Sequence, residues 1–293
     1  EEARKATLAA ADFAGPVYHT SSWPAEPPDF TGRTVGVFGT GSTGVQCIPA
    51  IARQAEQLIV FQRTPSYSLP SGNGPIDQEG YAAIKARYPD YRAELRRSRA
   101  GIPAPTSGEL GTDVSREEKR SRWEACWQAG RGVPSHFIDT MRPGPTNDEL
   151  CQFLHDKIRT IVADPVTAEA LCPKDYPFGA RRICLDSGYF ETYNRANVTL
   201  VDLKSARFES FTTDGVRAGG CDHPLDAVVL AIGFDAFTGP LLRIDICNGR
   251  GERLSERWAD GPRTYMGFMT AGFPNMFILT GPGSPSVLTN VVM

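Results

Sequence analysis

The run Val35-Gly-Val-Phe-Gly39-Thr-Gly41-Ser-Thr-Gly44 decides how this chain folds. Its first half is a short apolar stretch ending in glycine, the profile of a strand buried on both faces of a parallel sheet. Its second half has the G-x-G-x-x-G spacing. There the first glycine permits a tight turn, the second lets a pyrophosphate approach the backbone, and the third lets helix and strand pack closely. Gly41 to about Arg53 reads as a helix with Val45, Ile48 and Ile51 on one face, and its N-terminus would present free N–H groups to phosphate. Pro49 inside it is expected to bend it or to mark a short first turn. Leu58-Ile-Val-Phe61 is the next buried strand. A bare glycine motif is a weak signal; between a strand and a helix, in a unit of about thirty residues, it is a strong one. Gly39, Thr40, Gly41, Ser42, Thr43 and Gly44 are therefore the expected phosphate cradle.

The end of the second strand separates NAD from NADP. An acidic residue there would bind the ribose 2′-hydroxyl, whereas an arginine suits a 2′-phosphate. This chain has Phe61-Gln-Arg63-Thr64-Pro65 at that place. Arg63 offers a planar fork and Thr64 a hydroxyl donor, so the expected ligand is NADP(H).

Composition narrows the class. The 293 residues are 41% hydrophobic and 22% charged, ordinary for a globular enzyme of one large or two smaller domains. A net charge of -3 gives no reason to expect nucleic acid or an anionic membrane as partner. No run of apolar residues is long enough to span a membrane. The seven cysteines are scattered and contain no Cys-x-x-Cys pair, which argues against a zinc site or a redox dithiol and for a reducing, cytoplasmic compartment. No metal ligands are expected. The chain begins Glu-Glu-Ala-Arg-Lys, which reads as a chain entered partway.

Beyond Pro65 the composition shifts. Residues 66–165 are rich in Gly, Pro, Ser and charge, with helical patches at Tyr81–Arg99 and Ser115–Ala129. Asn147-Asp-Glu149 is expected to start an amphipathic helix with Leu150, Phe153, Leu154, Ile158 and Ile161 on one side. This stretch reads as a mainly helical insertion. Pro173 to Arg182 is a loop by composition, and Val198–Val201, Phe208–Thr212 and Ala227–Ile232 read as strands. Asn275 to Leu279 reads as a strand entering the turn Gly281-Pro282-Gly283-Ser284-Pro-Ser286, with a helix after it.

Ahead of the glycine turn stands Phe13-Ala-Gly15-Pro-Val-Tyr-His19-Thr-Ser-Ser-Trp23-Pro24, then a Pro-rich approach to Gly32 that reads as a crossing between structural units. This F-x-G-x-x-x-H-x-x-x-W-P pattern resembles the fingerprint of the Baeyer–Villiger monooxygenases, and the resemblance covers residues 13–293. It implies an α/β flavoprotein with two Rossmann-like dinucleotide-binding domains, NADPH and FAD as cofactors, and insertion of one atom of O2 beside a ketone carbonyl through a C4a-peroxyflavin. It implies that Arg182 falls on the catalytic arginine, which would stabilise the anionic peroxide and the charged adduct. Arg181 stands where the family has a lysine near the 2′-phosphate. His19 and Trp23 would sit at the junction of the two dinucleotide domains without acting on substrate. Gly233-Phe-Asp235 resembles the element that closes the NADP domain, with Ile232 replacing the usual threonine. Gly281, Pro282, Gly283 and Ser284 match the turn that faces the flavin pyrimidine.

The domains implied are a linker at 1–30, an NADP-binding domain at 31–65 and 166–235, the insertion at 66–165, and part of an FAD-binding domain at 236–293. No FAD-binding glycine motif precedes Phe13. The expectation is therefore that the remainder of the FAD domain is required. An N- or S-oxygenating flavin monooxygenase and an inactive NADP-binding fragment stand as alternatives; a disulfide reductase is disfavoured for want of a dithiol.

Overall fold

The computed structural model describes residues 10–98, 101, 106–234 and 238–284. The chain divides into two compact units, Glu1–Gly74 with Pro105–Gly233 and Pro75–Ala104 with Phe234–Met293. Of the stretch read as one insertion, 66–74 and 105–165 lie in the first unit and 75–104 in the second.

The strands of the first unit are β1 (Val17–His19), β2 (Thr34–Phe38), β3 (Gln57–Gln62), β4 (Ser68–Pro70), β5 (Cys184–Asp186), β6 (Val198–Asp202), β7 (Phe208–Thr212), β8 (Gly215–Ala218), β9 (Cys221–Pro224) and β10 (Ala227–Leu230). Five of them form a sheet in the order β1-β10-β2-β3-β6, every pair parallel. The helix α1 (Ser42–Ala52) connects β2 to β3. Alternation along the strands divides the apolar side chains between two faces. Val35, Val37, Leu58, Val60, Ala227 and Val229 pack with Val45, Ile48 and Ile51 of α1. Phe38, Phe61, Val228 and Leu230 meet Phe211, Val216 and Ala218 of the antiparallel meander β7-β8-β9 on the other face. Phe38 and Phe61 stack at 4.4 Å, which adds about 0.5–1.5 kcal/mol to their burial.

The stretch 1–30, expected as a linker, contains a strand. Val17–His19 is an edge strand, in register with Val228–Leu230. The pair β4-β5, also parallel, sets Ser68–Pro70 beside Cys184–Asp186.

A further core lies under α4 (Arg116–Gln128) and α5 (Pro145–Ile161), the fourth and fifth helices after α2 (Gln78–Ala86) and α3 (Tyr88–Arg97). Trp123, Trp127, Leu150, Phe153 and Leu154 close it, with Tyr67, Leu69 and Phe178 beneath. Lys119, 4% exposed, pairs with Glu149 at 2.9 Å across the two helices. The helix α5 starts at Pro145, ahead of the expected Asn147-Asp-Glu start, because proline presets the φ of a first helical residue. Asn147 is not a cap: it is fully buried and its Nδ2 donates to the carbonyls of Thr140 (2.7 Å) and Phe178 (2.9 Å). The helices α6 (Pro165–Leu171), begun by an Asp164 cap, and α7 (Tyr189–Thr192) pack toward the sheet.

In the second unit, the single helix expected at Tyr81–Arg99 is two, α2 and α3, broken at Arg87 ahead of Pro89. The short helices α8 (Gly239–Leu242) and α9 (Leu254–Arg257) follow, and Leu254, Trp258, Phe273 and Ile278 form a small core. The strand expected at Asn275–Leu279 is absent; this run passes through turns, with Leu279 84% exposed. Among the described residues no strand of this unit lies beside it to pair with, so its backbone bonds go to loops: Ile278 N–H donates to Phe268 and Gly281 N–H to Gly267. The helix expected after Ser284, and Asp235, lie outside the described residues.

Replacing Asn147 by alanine strands two buried carbonyls. We expect Asn147→Ala to lose about 1–3 kcal/mol of stability, read from the midpoint of urea unfolding. An unchanged midpoint would show that the bridge holds nothing together.

Candidate functional site

The three glycines of the turn do different work. Gly39, at the end of β2, has φ +101°, and a Cβ on it would stand 2.5 Å from the Ala231 carbonyl oxygen beyond β10. A Cβ on Gly44 would stand 2.1 Å from the Gly39 oxygen, so only glycine lets α1 press against the strand end. Gly41 faces open space. No side chain caps α1. The neighbours of β2, β3 on one side and β10 on the other, are reached by connections that diverge, and the crevice beyond such carboxyl ends is where open α/β sheets bind ligands.

Thr40 departs from expectation. It is 3% exposed and its hydroxyl donates to the Thr64 carbonyl at 3.0 Å, so it ties the glycine turn to the Arg63 loop instead of facing a ligand. Ser42 lies with its Oγ 3.6 Å from the Cys184 sulfur, and Thr43 is half-buried in the first turn of α1.

Arg63 is exposed just past β3, followed by half-buried Thr64. The next carbonyl, Pro65, accepts a 2.7 Å hydrogen bond from the Tyr176 hydroxyl. The Arg181 guanidinium lies 4.6 Å from the centre of the Tyr176 ring. The loop with the arginine pair is thereby fastened to the loop with Arg63. Arg182 is exposed and leads into β5, whose Cys184 touches the first turn of α1 through Ser42. Tyr176 carries no motif and sequence reasoning missed it; its nearness to Arg181 in the chain was the one available signal. Burial pushes the Tyr176 phenol up and the Cys184 thiol up, and Cys47 to about 11, so neither cysteine is an ionised nucleophile at neutral pH.

The fingerprint residues acquire physical reasons here. Phe13 is buried and folds back over Gly15, where a Cβ would stand 2.6 Å from the phenyl ring and 2.9 Å from the Asp226 oxygen. His19 ends β1 at the same carboxyl end of the sheet as the glycine turn, and its Nδ1 accepts from the Ser21 N–H at 3.1 Å. The Thr20 hydroxyl donates to Leu230 at 3.3 Å. Trp23 packs against Tyr18 and Phe30, with ring centroids 5.8 and 6.5 Å away.

In the second unit Gly281, Pro282, Gly283 and Ser284 form a turn folded onto Gly267. The Gly281 N–H donates to the Gly267 carbonyl, and a Cβ on Gly281 would stand 2.6 Å from that oxygen. The Thr264 hydroxyl donates to Pro282, and Gly283 has φ +80°. Pro262, Arg263, Thr264, Pro282 and Gly283 line a shallow cleft there.

The glycine geometry separates two substitutions. Gly44→Ala should destabilise by about 1–3 kcal/mol as strand and helix are forced apart, whereas Gly41→Ala should leave the thermal midpoint within error. Equal losses at both positions would contradict the assignment.

Among the described residues no group of His, Cys, Asp or Glu is placed to hold a metal ion, and no helix is long and apolar enough to cross a membrane. No protein-family model matches the chain. Individual proteins do. The 2-oxo-Δ3-4,5,5-trimethylcyclopentenylacetyl-CoA monooxygenase of Pseudomonas putida is 42% identical over 287 residues, 95% of this chain and 53% of that protein. A Baeyer–Villiger monooxygenase of Pseudooceanicola batsensis is 40% identical over 94% of this chain and 50% of its own length. Phenazine N-monooxygenase PhzNO1 of Lysobacter antibioticus is 38% identical over 93% and 50%. Among solved structures, OTEMO in complex with FAD and NADP superposes with a TM-score of 0.89 at 43% identity, over 96% of this chain and 54% of that one. The chain thus spans about half the length of the relatives it matches. Across nearly all of its own length, in sequence and in fold, the chain is similar to these monooxygenases, one of which is named a Baeyer–Villiger monooxygenase.

Proposed function

We propose that this chain is part of an NADPH- and FAD-dependent monooxygenase that inserts one oxygen atom of O2 next to a ketone carbonyl, giving an ester or lactone. The observation that carries this reading is an open glycine cradle whose turn is tied to the Arg63 loop, itself fastened to the loop of the arginine pair. NADPH would supply reducing equivalents there, and FAD the activation of O2.

The chain's own residues divide the work. The backbone of Gly39–Gly44 and the uncapped N-terminus of α1 hold the pyrophosphate, with Gly41 giving the clearance. Arg63, Thr64 and Arg181 take the 2′-phosphate, for which a planar fork of donors suits better than an acid. Arg182 holds a fixed positive charge beside negative charge developing on the transferred oxygen; a guanidinium keeps its proton at neutral pH, so it stabilises that charge without protonating it. His19 and Trp23 hold the start of the sheet and do not act on substrate. The backbone of the Gly281–Ser284 turn would hold the flavin. The remainder of an FAD-binding domain completes the enzyme, and its compartment is the cytoplasm, in keeping with seven free cysteines.

A second reading is favoured by one relative, the phenazine N-monooxygenase: the same cofactor apparatus could oxidise a nitrogen atom. Product analysis with a ketone and an aromatic amine separates the two.

The chain should bind NADPH at least tenfold more tightly than NADH, and Arg63→Ala should remove that preference while sparing NADH. Gly41→Ala should weaken both nucleotides alike. Equal affinity for the two in the unmodified protein would overturn the nucleotide assignment. In enzyme reconstituted with flavin, Arg182→Ala should lower ketone oxidation by about 10²–10³-fold with NADPH affinity retained; full turnover would remove Arg182 from the catalytic role.

A further inference from the structure

We infer that Tyr176 is the positioning residue that sets NADP over NAD, by fixing the spacing between Arg63 and Arg181 without touching the nucleotide itself. This rests on the proposed 2′-phosphate role of the two arginines and goes beyond it.

The argument starts from the backbone after β3. Two consecutive carbonyls there are tied in different directions: Thr64 accepts from Thr40 in the glycine turn, and Pro65 accepts from Tyr176 in the arginine loop. Arg63 therefore stands on a segment clamped from both sides. Tyr176 is clamped in turn. Its ring meets Tyr67 edge-on at 5.5 Å, and Tyr67 stacks parallel to His155 of α5. Tyr67 and His155 both bond to the Pro173 carbonyl, at 3.2 and 2.7 Å, at the start of the same loop. An aromatic column with the buried Tyr67 at its centre thus runs from α5 to the half-buried Tyr176 ring, and the Arg181 guanidinium rests on the end of that column.

An exposed arginine on a loop samples many rotamers, and holding it in one place before the ligand arrives lowers the ordering cost of binding. The ring face does this for Arg181, and the hydroxyl does it for the segment that carries Arg63. The two contributions are separable by chemistry. Tyr176→Phe keeps the ring and removes the hydroxyl; Tyr176→Leu removes both.

The test measures equilibrium binding of 2′,5′-ADP and 5′-AMP, which differ only in the 2′-phosphate, to the protein and to Tyr176→Phe, Tyr176→Leu and Arg181→Ala, with thermal unfolding of each as the folding control. We expect 2′,5′-ADP affinity to fall about three- to tenfold in Tyr176→Phe and further in Tyr176→Leu, with 5′-AMP unchanged. Loss of both ligands in parallel would mean that Tyr176 only supports the fold. Unchanged 2′,5′-ADP binding in both tyrosine variants, with a loss in Arg181→Ala, would overturn this inference and leave the phosphate site standing. No loss in Arg181→Ala would overturn the phosphate role of Arg181, and this inference with it.

Discussion

Three stretches of backbone meet at the carboxyl end of β2, and the arrangement of the first unit follows from how closely they meet. The end of β10 lies against Gly39, and the first turn of α1 lies against the oxygen of Gly39, at separations that leave no room for a Cβ on either glycine. Such contacts are stable only when something presses the elements together. Here the pressure comes from strands buried on both faces, with α1 on one side and the meander on the other. The result is a helix start held at a fixed place beside open space at Gly41.

Around that junction the polar groups are distributed over loops, while the sheet supplies rigidity. Thr40, Thr64, Pro65 and Tyr176 use ordinary hydrogen bonds to make one assembly of the glycine turn, the Arg63 loop and the arginine pair. The helix α5 is connected to it through His155 and Tyr67, so its packing bears on loop geometry and not on stability alone.

What could be read from the sequence was what local pattern encodes. The β2-α1-β3 unit is long, periodic and punctuated by glycine, and β6, β7 and β10 are strand-like runs, so these were expected and are present. The strands missed, β1, β4, β5, β8 and β9, are three or four residues long, too short for alternation to declare itself; β9 is Cys-Asp-His-Pro. The reverse error at Asn275–Leu279 has the same root, since an apolar run becomes a strand only when a partner lies alongside. Of the candidate site residues, spacing nominates Gly39, Gly41, Gly44 and Arg63, and the family resemblance nominates Arg181 and Arg182. The bond of Thr40 spans 24 residues and that of Tyr176 spans 111, and side chain to backbone contacts at such separations leave no trace in local sequence.

The start of α1 differs from those of α4 and α6, which Ser115 and Asp164 cap with their side chains. Evolution left the central helix of the sheet without its own terminator, and a bound pyrophosphate would serve as one. Ligand and fold then share a single free-energy account: each tenfold excess of nucleotide over its dissociation constant adds about 1.4 kcal/mol to the native state. A helix finished by its ligand makes the lifetime of the polypeptide a function of how much nucleotide surrounds it.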